Sequence, residues 1–98
     1  MMTVFSSNTD QNSYVNQQRK HYMTLCFRGN TEVTHIVKNG KIEVTFEQAV
    51  NGGFNTLITD LQGNVIQSSG FTDNDVDFFC RFVRQSADGI KMESDGVI

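Results

Sequence analysis

Basic residues are scarce in this chain: Lys and Arg total eight of 98 residues against eleven Asp and Glu, for a net charge of −3. The eight are scattered, so the concentrated basic face that a dedicated nucleic-acid binder sets against phosphates is missing, and nucleic acid is not an expected partner. Long apolar runs are missing as well. None approaches the roughly 20 residues that span a bilayer, and the N-terminus has neither the basic start nor the continuous apolar core of a secretory signal. A cytoplasmic protein without a membrane segment is the expectation.

Ligand-type side chains are equally few. Cys26 and Cys80 stand far apart, one in a strand-like run and one in a helical run, and neither has a second cysteine nearby to form a metal knuckle. Two buried free thiols are the expected state, with a single strand-to-helix disulfide as the alternative. His21 and His35 are not spaced with Cys, Asp or Glu as zinc ligands would be. Gly52-Gly53 and Gly63 read as turns, because neither opens a helix in the strand, Gly-rich turn, helix order of a phosphate cradle. No catalytic constellation, cofactor site or metal site is therefore expected.

What is present suits one domain, since 98 residues bury one modest core. Residues 1–20 include a stretch rich in Ser, Asn and Gln that cannot bury enough apolar surface to offset its ordering entropy. They read as a flexible N-terminal arm, with a short edge strand as an option at residues 2–6. Residues 21–98 form the domain.

Within it, residues 21–28 alternate, placing Met23, Leu25 and Phe27 on one side and Tyr22, Thr24 and Cys26 on the other. A second strand precedes Asn39-Gly40, a strong hairpin signal, and a third follows it with Ile42, Val44 and Phe46 on one face and Lys41, Glu43, Thr45 and Glu47 on the other. Two registers fit. A two-residue turn pairs Lys38 with Lys41, sets His35 beside Val44 and Val33 near Phe46, and exposes Ile36. A three-residue loop with a bulge at Gly40 pairs Ile36 with Ile42 and turns His35 outward. The first gathers the larger apolar patch. Asn51-Gly52-Gly53 then reads as a loop, residues 54–60 as a strand, and residues 60–64 as a second hairpin turn with Gly63 at positive φ. These elements predict an α+β fold: an antiparallel sheet of four to five strands, built from two consecutive hairpins, with one C-terminal amphipathic helix on one face.

The helix carries its own punctuation. Thr72 suits the N-cap, Phe71 and Val76 have hydrophobic-staple spacing, and Gly89 suits a left-handed C-cap. Asp73, Asp75 and Asp77 complement the helix dipole at its start. They also match the first, third and fifth positions of a calcium loop, but Phe78 and Arg84 stand where that loop needs Gly and Glu, so calcium is not expected. The tail after Gly89 leaves Ile90 and Met92 as a candidate terminal edge strand.

At 100° per residue, Val76, Phe79, Cys80, Val83 and Ala87 cover an arc of about 100°, enough to seat a helix on a sheet. Phe78 and Phe82 widen it to about 200°. The arm, the tail or a curved sheet could cover the two rings; otherwise they form an interface with a partner or a second copy. The expected function is accordingly a small non-enzymatic interaction or regulatory module with Phe78 and Phe82 at its contact. The alternative is a ligand-binding or catalytic domain assembled from the first two strands around His35, Tyr22, Thr24 and Arg28. Single-stranded nucleic-acid binding through Tyr22 and Phe54 would lack its basic groove.

Overall fold

The computed structural model describes residues 19–27 and 29–95, and the arm assigned to residues 1–20 lies almost wholly outside them. Five strands run in the order β1 Lys20–Cys26, β2 Asn30–Lys38, β3 Lys41–Val50, β4 Gly53–Asp60 and β5 Val65–Ser69, followed by helix α1 Asp73–Ser94. Each strand pairs antiparallel with its neighbour in sequence, so the sheet is a five-stranded meander with β1 and β5 at its edges. The fold is α+β, as expected. Among the described residues no helix is long and apolar enough to cross a membrane.

The turn chemistry sets the register. Asn39 and Gly40 both adopt positive φ, 54° and 76°, the backbone of a two-residue turn whose twist matches the flanking strands. Lys38 therefore faces Lys41, His35 faces Val44 and Val33 faces Phe46. Ile36 falls on the opposite face beside Glu43 and is half-buried there. The expected loop around Asn51-Gly52-Gly53 is shorter than the sequence suggests. Strand β3 continues to Val50, which pairs with Gly53, so Asn51-Gly52 is a second two-residue hairpin and the strand order has no crossover.

The third turn is built around Asp60. Its carboxylate accepts from Gln62 N at 2.9 Å, Asn64 N at 2.8 Å and Asn64 Nδ2 at 3.1 Å. Gly63 occupies φ 82°, and a Cβ there would stand 2.8 Å from the Cys80 carbonyl oxygen. Glycine is thus required twice over, for the backbone and for the approach of this turn to α1.

One sheet face carries the core. Val33, Val44, Phe46 and Leu57 from the central strands meet Phe79, Val83 and Ile90 of α1, all of them buried. Each such side chain contributes about 1.5–3 kcal/mol on leaving water. The helix begins as read: Thr72 accepts from Asp75 N at 3.2 Å, and Phe71 and Val76 lie against the same core.

Its end differs. Gly89 is inside the helix, not a left-handed cap, and the helix continues to Ser94 with Asp95 in right-handed geometry at the cap. Ile90 extends the apolar stripe of Val76, Phe79 and Val83, so Ile90 and Met92 belong to helix and not to a terminal strand. A Cβ at Gly89 would stand 3.0 Å from the Tyr22 hydroxyl, so the glycine leaves room for that side chain.

Strand β1 also departs from simple alternation. Its register slips between His21 and Met23, and this bulge lets Tyr22 pack on the core with Leu25 and Phe27, while Met23 is 37 % exposed. Both cysteines are free, but only Cys80 is buried. Cys26 is exposed at the end of β1, 3.6 Å from Asn30 Oδ1, which corrects the expectation of two buried thiols.

Candidate functional site

Phe78 and Phe82 sit one turn apart on the flank of α1 that overhangs β1. Phe78 lies flat on Phe27, with centroids 4.1 Å apart and planes 8° from parallel. Phe82 meets Tyr22 edge-on at 6.4 Å and Phe46 at 6.1 Å. Phe79, between them in sequence, stacks on Phe46 at 4.7 Å and touches Phe27 and Phe71 edge-on. The rings of two strands, two connections and the helix thus form a continuous aromatic layer held by stacked and edge-on contacts.

Part of the aromatic surplus is absorbed by the sheet's own edge wrapping the helix through Tyr22 and Phe27. The rest is not: Phe78 and Phe82 remain half-buried, and their outward edges join Arg81 and Gln85 around a shallow hollow of about 200 Å³. Arg81 extends along this rim and pairs with Asp77 one turn back, Nε to Oδ2 3.2 Å, with both side chains exposed. An exposed pair of this kind is worth under about 1 kcal/mol and gives way readily to a partner's carboxylate.

A larger hollow of about 360 Å³ lies at the other end of the helix, lined by Lys41, Ile42, Asp60, Leu61, Gln62 and Lys91 among others. Size does not make it the better site. It has no aromatic anchor, and its carboxylate is already spent on the Asp60 turn. Burial opposes ionisation of Asp60, but the hydrogen bonds from Asn64, Gln62 and Gly63 outweigh it and hold the group below its ordinary value.

The polar set of the first two strands is divided by the sheet. His35 and Tyr22 are on the helix side, while Thr24 is on the open side with His21 and Glu32, whose Nε2 and Oε1 are 2.8 Å apart. Arg28 lies outside the described residues. His35 is 1 % exposed, and both ring nitrogens are engaged: Nδ1 is 2.9 Å from Ser94 Oγ and Nε2 is 3.2 Å from Glu93 Oε1. Tyr22 meets the ring edge-on at 6.2 Å.

Ser94, His35 and Glu93 have the residue types of a nucleophile relay. Their position opposes that chemistry, because Ser94 is in the last turn of α1, where the carbonyl end of the helix dipole disfavours a developing oxyanion. The trio is a clasp: one ring nitrogen is engaged by Glu93 and the other by Ser94, which ties the helix end to β2. Sequence spacing does not reveal it, since its partners are 58 and 59 residues apart and Gly89 suits a helix end.

The remaining candidates separate likewise. Tyr22 is beneath the helix, whereas Phe54 is 64 % exposed beside the β3–β4 turn, so the two make no common base-stacking platform. Among the described residues no group of three or more His, Cys, Asp or Glu is placed to hold a metal ion. Burial raises the thiol pKa of Cys80; Arg84 opposes that shift, while Asp77 and Asp60 reinforce it, so this thiol stays protonated and unreactive. Across β3–β4, Glu43 faces Asp60 and Glu47 faces Thr56, and across β2–β3 Glu32 faces Glu47, so the open sheet face has two like-charged cross-strand pairs, Glu43 with Asp60 and Glu32 with Glu47. Compared with known proteins, the chain matches no family model, no curated protein and no solved structure.

Proposed function

We propose that this protein is a small non-enzymatic interaction module, regulatory in role, whose contact surface is the outer shoulder of α1 at Phe78, Arg81, Phe82 and Gln85. One observation carries the reading. Two aromatic rings are held from below by Phe27, Tyr22 and Phe46, yet keep their outer edges on a hollow rimmed by an arginine and a glutamine. Rigid aromatic anchors with an adjacent Arg are the composition of interface hot spots, and prior ordering of the rings lowers the entropy lost on binding. The partner is a protein or a second copy of this chain. The exposed free thiol of Cys26 suits a reducing compartment, which supports the cytoplasm as the place of action.

The test alters the rim and leaves the aromatic layer intact. Arg81→Glu combined with Gln85→Glu should preserve the circular dichroism spectrum and melting temperature but abolish capture of the partner that the unaltered chain retains. Identical captured proteins and identical solution mass for both versions would remove the shoulder as the contact. A ligand site assembled from the first two strands has less support, because the sheet separates Thr24 from His35 and Tyr22.

A further inference from the structure

We propose that β5 is a self-association edge, at which a second copy of the chain adds its own β5 antiparallel to form a continuous ten-stranded sheet. All five residues of β5 are exposed, and among the described residues no strand pairs with its outer side. Such an edge presents unpaired backbone N–H and C=O groups, and proteins usually guard it with charge, proline or a bulge. The opposite edge is guarded in this way: β1 is entered through Arg19 and Lys20 and is bulged beside Tyr22.

Strand β5 is short and has one guard, a register slip that leaves Ile66 without a partner on β4. Its chemistry works the other way. No charged residue occurs from Leu61 to Thr72, the chain contains no proline, and Val65 and Ile66 are 48 % and 53 % exposed. An edge built to repel other strands would not place two bare aliphatic side chains beside its bulge.

Charge distribution selects a second copy as the occupant. A two-fold contact sets each surface group against the same patch of its mate, so a chain of net charge −3 meets least self-repulsion where it is locally neutral. From Gln48 to Thr72 the sole charged residue is Asp60, and its carboxylate is occupied by its own turn. A charged partner would find nothing to read along β5, whereas Gln67, Ser68 and Ser69 offer amide and hydroxyl groups that pair with their own kind.

The geometry has a functional consequence. Antiparallel pairing of identical edges requires a two-fold axis perpendicular to the sheet, which puts both helices on one face. Phe78 and Phe82 lean toward β1, whereas Cys80 and Arg84 face the β4–β5 turn, so the two shoulders end up on the outer flanks. The dimer would present two hollows on one side, a divalent arrangement in which one binding event raises the local concentration for the next.

Sedimentation equilibrium of the full chain from about 1 μM to about 1 mM, together with amide exchange at both extremes, tests the proposal. The expected result is a monomer–dimer equilibrium in which the amides of Val65–Ser69 gain protection with concentration. Ile66→Lys should weaken dimerisation at least about tenfold, since it charges a residue that β4 does not use. Should that variant misfold, the concentration dependence of β5 exchange in the unaltered chain still decides. A monomer throughout, a dimer with unchanged β5 exchange, or a dimer dispersed by Arg81→Glu and untouched by Ile66→Lys would each overturn the proposal. A monomer would leave the shoulder reading standing, because that reading is tested by partner capture.

Discussion

Phe27 and Phe78 are stacked nearly parallel at 4.1 Å, although one belongs to the link after the edge strand β1 and the other to the helix flank. This contact couples the edge of the sheet to the surface proposed as the interface. Removing either ring should cost about 2–3 kcal/mol, less than for a fully buried phenylalanine because both are half-buried. In a double-mutant cycle, Phe27→Ala and Phe78→Ala should couple by about 1 kcal/mol, measured as the non-additivity of urea midpoints. Additive losses would show that the two rings merely share a neighbourhood.

Tyr22 and Gly89 give a second relationship with a testable sign. Alanine is better than glycine inside a helix by about 1 kcal/mol, but a Cβ at position 89 would stand 3.0 Å from the Tyr22 hydroxyl. Gly89→Ala should therefore gain little in the natural chain and stabilise by about 1 kcal/mol where Tyr22→Phe has removed that oxygen. Thermal melts of the four combinations measure the difference, and equal gains in both backgrounds would show that Tyr22 exerts no constraint there.

The same pair explains which parts of the fold were legible in the sequence. Asn39-Gly40 and the apolar set Val33, Val44 and Phe46 specify their hairpin locally, and Thr72 with its following aspartates specifies the helix start. Gly89 resembles a stop because a helix-interior glycine is usually penalised, whereas the contact that a Cβ there would make, with a tyrosine 67 positions earlier by residue number, is tertiary. Simple alternation puts Tyr22 on the wrong side, because a bulge inserts one residue without leaving a turn signature. The helical angle alone puts Phe78 and Phe82 on the helix shoulder, where both rings are half-buried. What lies beneath them was not readable, since Phe27 and Tyr22 arrive through that bulge and the link after it. The second Asn-Gly turn was hidden for a simpler reason: Gln48, Ala49 and Val50 do not alternate, so β3 looked finished before it was.

Asp60 supplies a pH prediction. Its folded carboxyl titrates below the ordinary value of 3.8, burial being outweighed by hydrogen bonds from Asn64, Gln62 and Gly63. A depressed folded value means that its stabilisation is complete above the unfolded pKa and is lost as pH falls through the folded one. Asp60→Asn should thus destabilise by about 1 kcal/mol at pH 7 and about equally at pH 5, with the gap to the natural chain closing below about pH 4. Urea midpoints at pH 7, 5 and 3 provide the check. A gap that persists unchanged at pH 3 would mean that turn geometry, not carboxylate charge, is what Asp60 supplies.

The two thiols should differ in reactivity for structural reasons alone. Cys26 is exposed at the end of β1, whereas Cys80 is buried on α1 close behind the Asp60 turn, where Gly63 approaches its carbonyl. Burial raises the Cys80 pKa, so that thiol lacks both access and thiolate character. A thiol-reactive dye at neutral pH should label one site rapidly in the native protein, identified as Cys26 by peptide mapping, and a second only in denaturant. Labelling of Cys80 at a rate whose logarithm rises linearly with added urea below the midpoint would measure opening of the β4–β5 turn. Native labelling of both thiols at similar rates would show that this turn does not hold closed over the helix. Since β5 begins immediately after the turn, looseness there would also leave the proposed self-association edge without a fixed strand to present.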